Sequence, residues 1–135
     1  RNTTMKILIV EDDFTSRLLL QELLKSYGPS HIAVNGMEAV EAVRAALEAG
    51  AHYHLICLDI MMPEMDGQTA LKEIRALEEA KGIFSTHGAK IVMTTALGDM
   101  KNVTTAFSGL ADAYLTKPIN KAKLIEELRQ LGVLP

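Results

Sequence analysis

Short aliphatic runs alternate along this chain with longer stretches whose apolar residues recur at helical spacing. Lys6-Ile7-Leu8-Ile9-Val10 is a strand-type run that ends in Glu11-Asp12-Asp13. Phe14 to Tyr27 follows with Leu20, Leu23 and Leu24 on one helical face, and Gly28-Pro29 stops it. His31 to Val34 reads as a brief second strand and Asn35-Gly36 as a turn. Met37 to Ala49 reads as an amphipathic helix with Val40, Val43 and Leu47 inward, closed by Gly50. Leu55 to Leu58 is a third strand, apolar on both faces, that ends abruptly at Asp59 and is followed by Pro63 and Gly67. Gly67 to about Ala80 is helical, with Ala70, Leu71, Ile74 and Leu77 in phase. A long connection, Ala80 to Ala89, leads to the fourth strand, Lys90 to Thr94, with Thr95-Ala96 at its end. Asp99 caps an expected fourth helix over Met100 to Ser108. Asp112 to Thr116 is a fifth strand that ends at Lys117-Pro118. Asn120 caps a fifth helix bearing Leu124, Ile125, Leu128 and Leu131.

Strand–helix alternation repeated through the chain predicts an α/β fold: a five-stranded parallel sheet with helices on both faces. In such sheets ligands bind beyond the carboxyl ends of the strands. Those ends present Glu11 and Asp12, then Asp59, then Thr95, then Lys117. Read singly, each has a bland explanation: a solvated charge run, a turn or capping Asp, a strand-end Thr, a structural Lys–Asp pair. Together, at four strand ends, they describe one pocket.

Three carboxylates crowded together raise one another's pKa unless a cation opposes them. Mg2+ fits, because it prefers oxygen ligands and takes one or two protein carboxylates beside phosphate oxygens. Asp12 and Asp59 are the expected direct ligands and Glu11 acts through water. A backbone carbonyl just after Asp59, that of Met61, supplies a further oxygen; its thioether is too soft for the role. A hydroxyl at Thr95 and an ammonium at Lys117 complete a site suited to the equatorial oxygens of a phosphoryl group, with Asp59 as nucleophile.

Composition narrows the remaining choices. The 135 residues suit one domain, and a 48% apolar content supports a real core. The formal charge of −3 argues against direct nucleic-acid binding. No stretch approaches the ~20 apolar residues of a membrane span. The single cysteine, Cys57, lies in an apolar run and reads as a small buried hydrophobe, which fits a reducing cytoplasmic setting. Residues 1–4 read as a disordered or cloning-derived lead-in to a domain over 5–135. Whether the chain is a full-length regulator or a fragment of a longer one stays open. His52 and His54 read as surface histidines, and none of the four histidines is expected to be phosphorylated.

Val10-Glu11-Asp12, Asp59 with Met62-Pro63 and Met65-Asp66-Gly67, Thr95-Ala96, and Tyr114-Leu115-Thr116-Lys117-Pro118 closely resemble the receiver domain of two-component response regulators, including the stand-alone chemotaxis type. The resemblance runs from Lys6 to Leu131. It implies a flavodoxin-like, doubly wound sheet of order 2-1-3-4-5. It implies that Asp59 accepts a phosphoryl group from a phosphohistidine on a histidine kinase or histidine phosphotransfer protein, with Mg2+ required. It implies a switch in which Thr95 moves toward the phosphoryl group and Tyr114 turns inward. A downstream protein then binds the face made by the fourth helix, fifth strand and fifth helix. Such a chain is a signalling phosphoacceptor and not an enzyme acting on others, and it is a monomer or weak homodimer that touches neither nucleic acid nor membrane.

Rival chemistries on similar sheets fit less well. A haloacid-dehalogenase-type phosphatase wants a second Asp two residues after the first, where Met61 stands. A dinucleotide enzyme wants Gly-x-Gly-x-x-Gly where Glu11-Asp12-Asp13 stands. A phosphorylation-independent module on the same fold usually loses an acidic or Lys position, and all are present here. Two departures remain. The Ala80–Ala89 connection is longer than usual and reads either as a partner-specific loop or, more simply, as tolerated padding. Met61 and Leu97, each two positions past a site residue, are apolar and are expected to slow hydrolysis of a phosphoryl-Asp.

Overall fold

The structure, a computed structural model, describes residues 4–62, 65–84, 87–96 and 110–134. Its strands are β1 (Ile7–Val10), β2 (Ser30–Ala33), β3 (Leu55–Asp59), β4 (Lys90–Ala96) and β5 (Ala113–Lys117). Its helices among the described residues are α1 (Phe14–Leu24), α2 (Gly36–Glu48), α3 (Gly67–Ala80) and α4 (Lys121–Gln130). The helix expected over 100–108, together with Asp99, lies outside the described residues. All strands pair parallel in the order β2-β1-β3-β4-β5. That is the doubly wound order the resemblance implies, with the direction of winding changing between β1 and β3.

Strand alternation divides the core in two. Leu8, Val10, Ile56, Leu58, Ile91 and Met93 face α2 and α3, where Val40, Val43, Leu71 and Ile74 meet them. Ile7, Ile9, Leu55, Cys57, Val92, Ala113 and Leu115 face α1 and α4, where Leu20, Leu24, Leu124 and Leu128 close the layer. Both faces of the central strands are buried, which is why β1 and β3 read as unbroken apolar runs.

Each described helix starts at a side-chain cap. Asp13, Asn35, Asp66 and Asn120 accept hydrogen bonds from the backbone N–H of Ser16, Glu38, Thr69 and Lys123. Caps of this kind contribute about 1 kcal/mol each. Asn35, read from sequence as a turn residue, is the cap of α2. The first helix ends at Leu24, before the expected Tyr27, and β4 and β5 each run further toward the pocket than expected.

The Ala80–Ala89 connection is held at its Ala89 end by the helix before it. Glu78 is only 3% exposed, and its carboxylate accepts the Ala89 N–H at 2.8 Å. Arg75 binds Glu78 at 2.8 Å, Asp112 and the Ala89 carbonyl at 2.9 Å, and the Leu110 carbonyl at 2.9 Å. Asp112 in turn accepts the Ile91 N–H. A Cβ at Gly88 would stand 2.4 Å from the Glu78 carboxylate, so a larger residue there would have to displace it. This network ties the end of α3 to the starts of β4 and β5.

Candidate phosphoacceptor site

The pocket lies at the carboxyl ends of β1, β3, β4 and β5. Asp59 is the last residue of β3 and is 3% exposed. Its Oδ1 accepts the Met61 backbone N–H at 3.3 Å, and its Oδ2 lies 3.2 Å from Lys117 Nζ. The turn behind it is packed backbone to backbone. Gly67 N–H donates to the Ile60 carbonyl at 3.0 Å, and a Cβ at Gly67 would stand 2.5 Å from the Asp59 carbonyl oxygen. Glycine at 67 therefore lets α3 begin directly against the residue that ends β3.

Glu11 follows β1 and is fully buried. Its Oε2 accepts the Asp13 N–H and a Lys117 N–H, each at 3.2 Å. Its Oε1 lies 3.0 Å from the same ammonium but makes no hydrogen bond. Lys117, at the end of β5, thus bridges Glu11 and Asp59. Asp12 is exposed, and one oxygen from each of Glu11, Asp12 and Asp59 can be chosen so that all lie within 4.8 Å of one another. Asp13, part of the same acidic run, is a cap rather than a member of this cluster; its hydrogen bonds with Ser16 lower its pKa.

Electrostatics follow from this crowding. Burial first, then the neighbouring Asp59 charge, push Glu11 up to about 7 against the pull of Lys117. Burial alone would lower Lys117, but hydrogen bonding and attraction from Glu11 and Asp59 outweigh it and raise its pKa. The ammonium is charged at neutral pH. One cation against three carboxylates leaves a surplus of negative charge, and an oxygen-only donor set of this kind suits a hard divalent ion.

Thr95 is buried near the end of β4 with its hydroxyl unpaired. Tyr114 is half-buried against the α2–α3 face of the core; burial, then the Asp112 charge, raise its phenol pKa. Met61 is 71% exposed, and its backbone N–H is what meets Asp59. Leu97 lies outside the described residues. The structure therefore brings Glu11, Asp12, Asp59 and Lys117 into one cluster, with Met61 main chain beside it.

Elsewhere, Cys57 is buried and its thiol is pushed up to about 12, as expected of an inert core residue. Two of the four histidines carry local structural roles. His54 Nδ1 accepts the Lys6 N–H at 2.8 Å, and His31 Nδ1 meets the Tyr53 hydroxyl at 2.8 Å. Among the described residues no helix is long and apolar enough to cross a membrane.

Comparison with known proteins agrees with this geometry. The family model described as the response regulator receiver domain matches residues 7–129. Chemotaxis protein CheY of Bacillus subtilis is 32% identical over 127 residues, covering 93% of this chain and 95% of that protein. The receiver domain of sensor histidine kinase PA1611 from Pseudomonas aeruginosa, solved with magnesium in its active site cleft, superposes with a TM-score of 0.74 at 28% identity, covering 96% of this chain and 99% of that one. The Saccharomyces cerevisiae response regulator Ssk1 receiver domain, solved with the histidine phosphotransfer protein Ypd1, gives 0.79 at 29% identity, covering 97% and 90%. Two further curated relatives are histidine kinases, of which the chain spans only 10% and 6% of the length.

Proposed function

The chain belongs to the response regulator receiver domain family, and on that footing we propose that Asp59 is its phosphoacceptor. The observation that carries this is the Lys117 ammonium, held 3.0–3.2 Å from both Glu11 and Asp59 at the rim of the central strands. A cation so placed steadies charge on a phosphoryl group bound to Asp59. Oδ of Asp59 attacks the phosphorus of a phosphohistidine. The O–P bond forms as the P–N bond breaks, the electron pair returning to the imidazole nitrogen. The product is an acyl phosphate, which water later hydrolyses to inorganic phosphate and the free carboxylate.

Mg2+ fits the residues present. Asp12 and Asp59 would hold it directly, Glu11 through water, and the Met61 carbonyl would add an oxygen. When bound, it neutralises charge on the transferring oxygens. The chain's own part is to present Asp59 on a rigid strand end, to keep Lys117 charged beside it, and to limit water access by burying the carboxylate.

The phosphodonor is a phosphohistidine on a histidine kinase or a histidine phosphotransfer protein. Phe14, 63% exposed, and Leu18 lie on α1, which starts two residues after Asp12, and give such a partner apolar contact beside the pocket. Acylation draws the Thr95 hydroxyl toward the phosphoryl oxygens, and Tyr114 moves inward behind it. A downstream protein then reads a face that includes β5 and α4. On that face Tyr114, Thr116, Lys123, Glu126 and Glu127 help to line a groove of about 560 Å3. The chemistry of this domain is to gain and lose its own phosphoryl group.

Beryllofluoride, a phosphoryl mimic, tests the reading. Amide NMR should show saturable binding that needs Mg2+, is abolished in Asp59→Asn, and shifts Tyr114. Binding that survives Asp59→Asn, or ignores the metal, would overturn the assignment.

A further inference from the structure

Four polar residues extend one apolar row of the sheet. Ile9, Cys57, Val92 and Leu115 belong to the cluster beneath α1 and α4. Two residues onward on each strand stand Glu11, Asp59, Thr94 and Lys117. Strand side chains repeat every two residues, so these four start from the same face. Three of them make the site already described. The fourth, Thr94, is not accounted for by it.

Thr94 sits in the middle of that group. β4 lies between β3 and β5, and the ladder places Thr94 opposite Asp59 on one side and Leu115 on the other. Lys117, based on β5 opposite Ala96, must cross β4 to reach Asp59 on β3 and Glu11 beyond it. Thr94 is 2% exposed and its hydroxyl has no hydrogen-bond partner. A buried hydroxyl left unpaired is costly, and such groups call for an explanation. Thr95, which follows a Met93 and Thr94 pair split between the two faces, starts instead from the Met93 and Tyr114 face.

Lys117 has three N–H donors, and in this structure Glu11 and Asp59 engage it. A phosphoryl group on Asp59 needs the ammonium for itself, which means loosening it from Glu11. We propose that Thr94 is a positioning residue for Lys117: its hydroxyl accepts an N–H from the ammonium as Glu11 is exchanged for a phosphoryl oxygen, holding Nζ over Asp59. This rests on the reading of Asp59 as phosphoacceptor.

Thr94→Val keeps the shape and removes the hydroxyl; Thr94→Ser keeps the hydroxyl. Beryllofluoride affinity at saturating Mg2+, Mg2+ affinity alone, and urea unfolding are measured on wild type and both variants. Thr94→Val should bind beryllofluoride about tenfold more weakly, the scale of a hydrogen bond to a charged group. Mg2+ affinity should be unchanged and Thr94→Val no less stable than wild type, while Thr94→Ser binds like wild type. Equal beryllofluoride affinity in wild type and Thr94→Val, or equal weakness in both variants, overturns the role of Thr94 alone. Failure of wild type itself to bind overturns the phosphoacceptor reading instead.

Discussion

Arg75→Met is the substitution whose cost is most directly set by this structure. The guanidinium is largely buried and donates to two carbonyls and two carboxylates, one from each of Glu78 and Asp112. Methionine fills comparable volume but leaves the buried Glu78 carboxylate without its cation and the Leu110 and Ala89 carbonyls without this donor. Removing one partner of a buried ion pair costs about 3–5 kcal/mol, because the remaining charge stays desolvated. Domains of this size have roughly 5–15 kcal/mol in hand, so the variant should fold with a Tm lower by roughly 10–20 °C. Urea denaturation should show a lower midpoint with an unchanged slope. Adding Glu78→Gln should cost less than the sum of the two single changes, since the second removes the stranded charge. A loss below about 1 kcal/mol, the scale of exposed pairs, would refute the claim that this network anchors β4 and β5.

Other consequences concern the pocket. Gly67→Ala puts a Cβ 2.5 Å from the Asp59 carbonyl and 2.8 Å from Ile60 Cα. Displacing that backbone should cost about 1–3 kcal/mol and sharply slow phosphoryl uptake from a small phosphodonor; normal uptake would contradict the packing argument. Glu11 has a folded pKa of about 7, above its ordinary 4.5. Its contribution to metal-free stability, read as wild type minus Glu11→Gln, should be greatest below about 4.5 and fall as pH rises through about 7. Urea midpoints in chelator across that range would show it, and a flat difference would not fit. Met61→Asn and Leu97→Glu bring polar groups to positions expected to restrain water, so each should shorten the phosphoryl-Asp lifetime severalfold; unchanged lifetimes would remove that role.

Much of the fold was legible because β1 and β3 are buried on both faces and so stand out as unbroken apolar runs. The site was legible because its residues fall where those runs stop. Glu11, Asp59 and Lys117 are charged residues directly after apolar strands, a contrast that needs no coordinates to see. What stayed hidden depends on contacts distant in sequence. Arg75 and Asp112 are 37 positions apart yet share a hydrogen bond, and Glu78 looks like one more solvent-facing acid on an amphipathic helix. Thr94 is hidden for a similar reason. Adjacent threonines read as one strand end, and only the ladder register separates the residue on the Asp59 face from its neighbour on the other.

Intact-mass spectrometry after incubation with a small-molecule phosphodonor and Mg2+ addresses the central claim most directly. Wild type should gain one phosphoryl group that is lost in mild base, as an acyl phosphate is. Asp59→Asn should gain none, and Lys117→Met should gain it far more slowly. A base-stable adduct, or one carried equally by Asp59→Asn, would contradict the assignment of Asp59 as the group that takes up phosphorus.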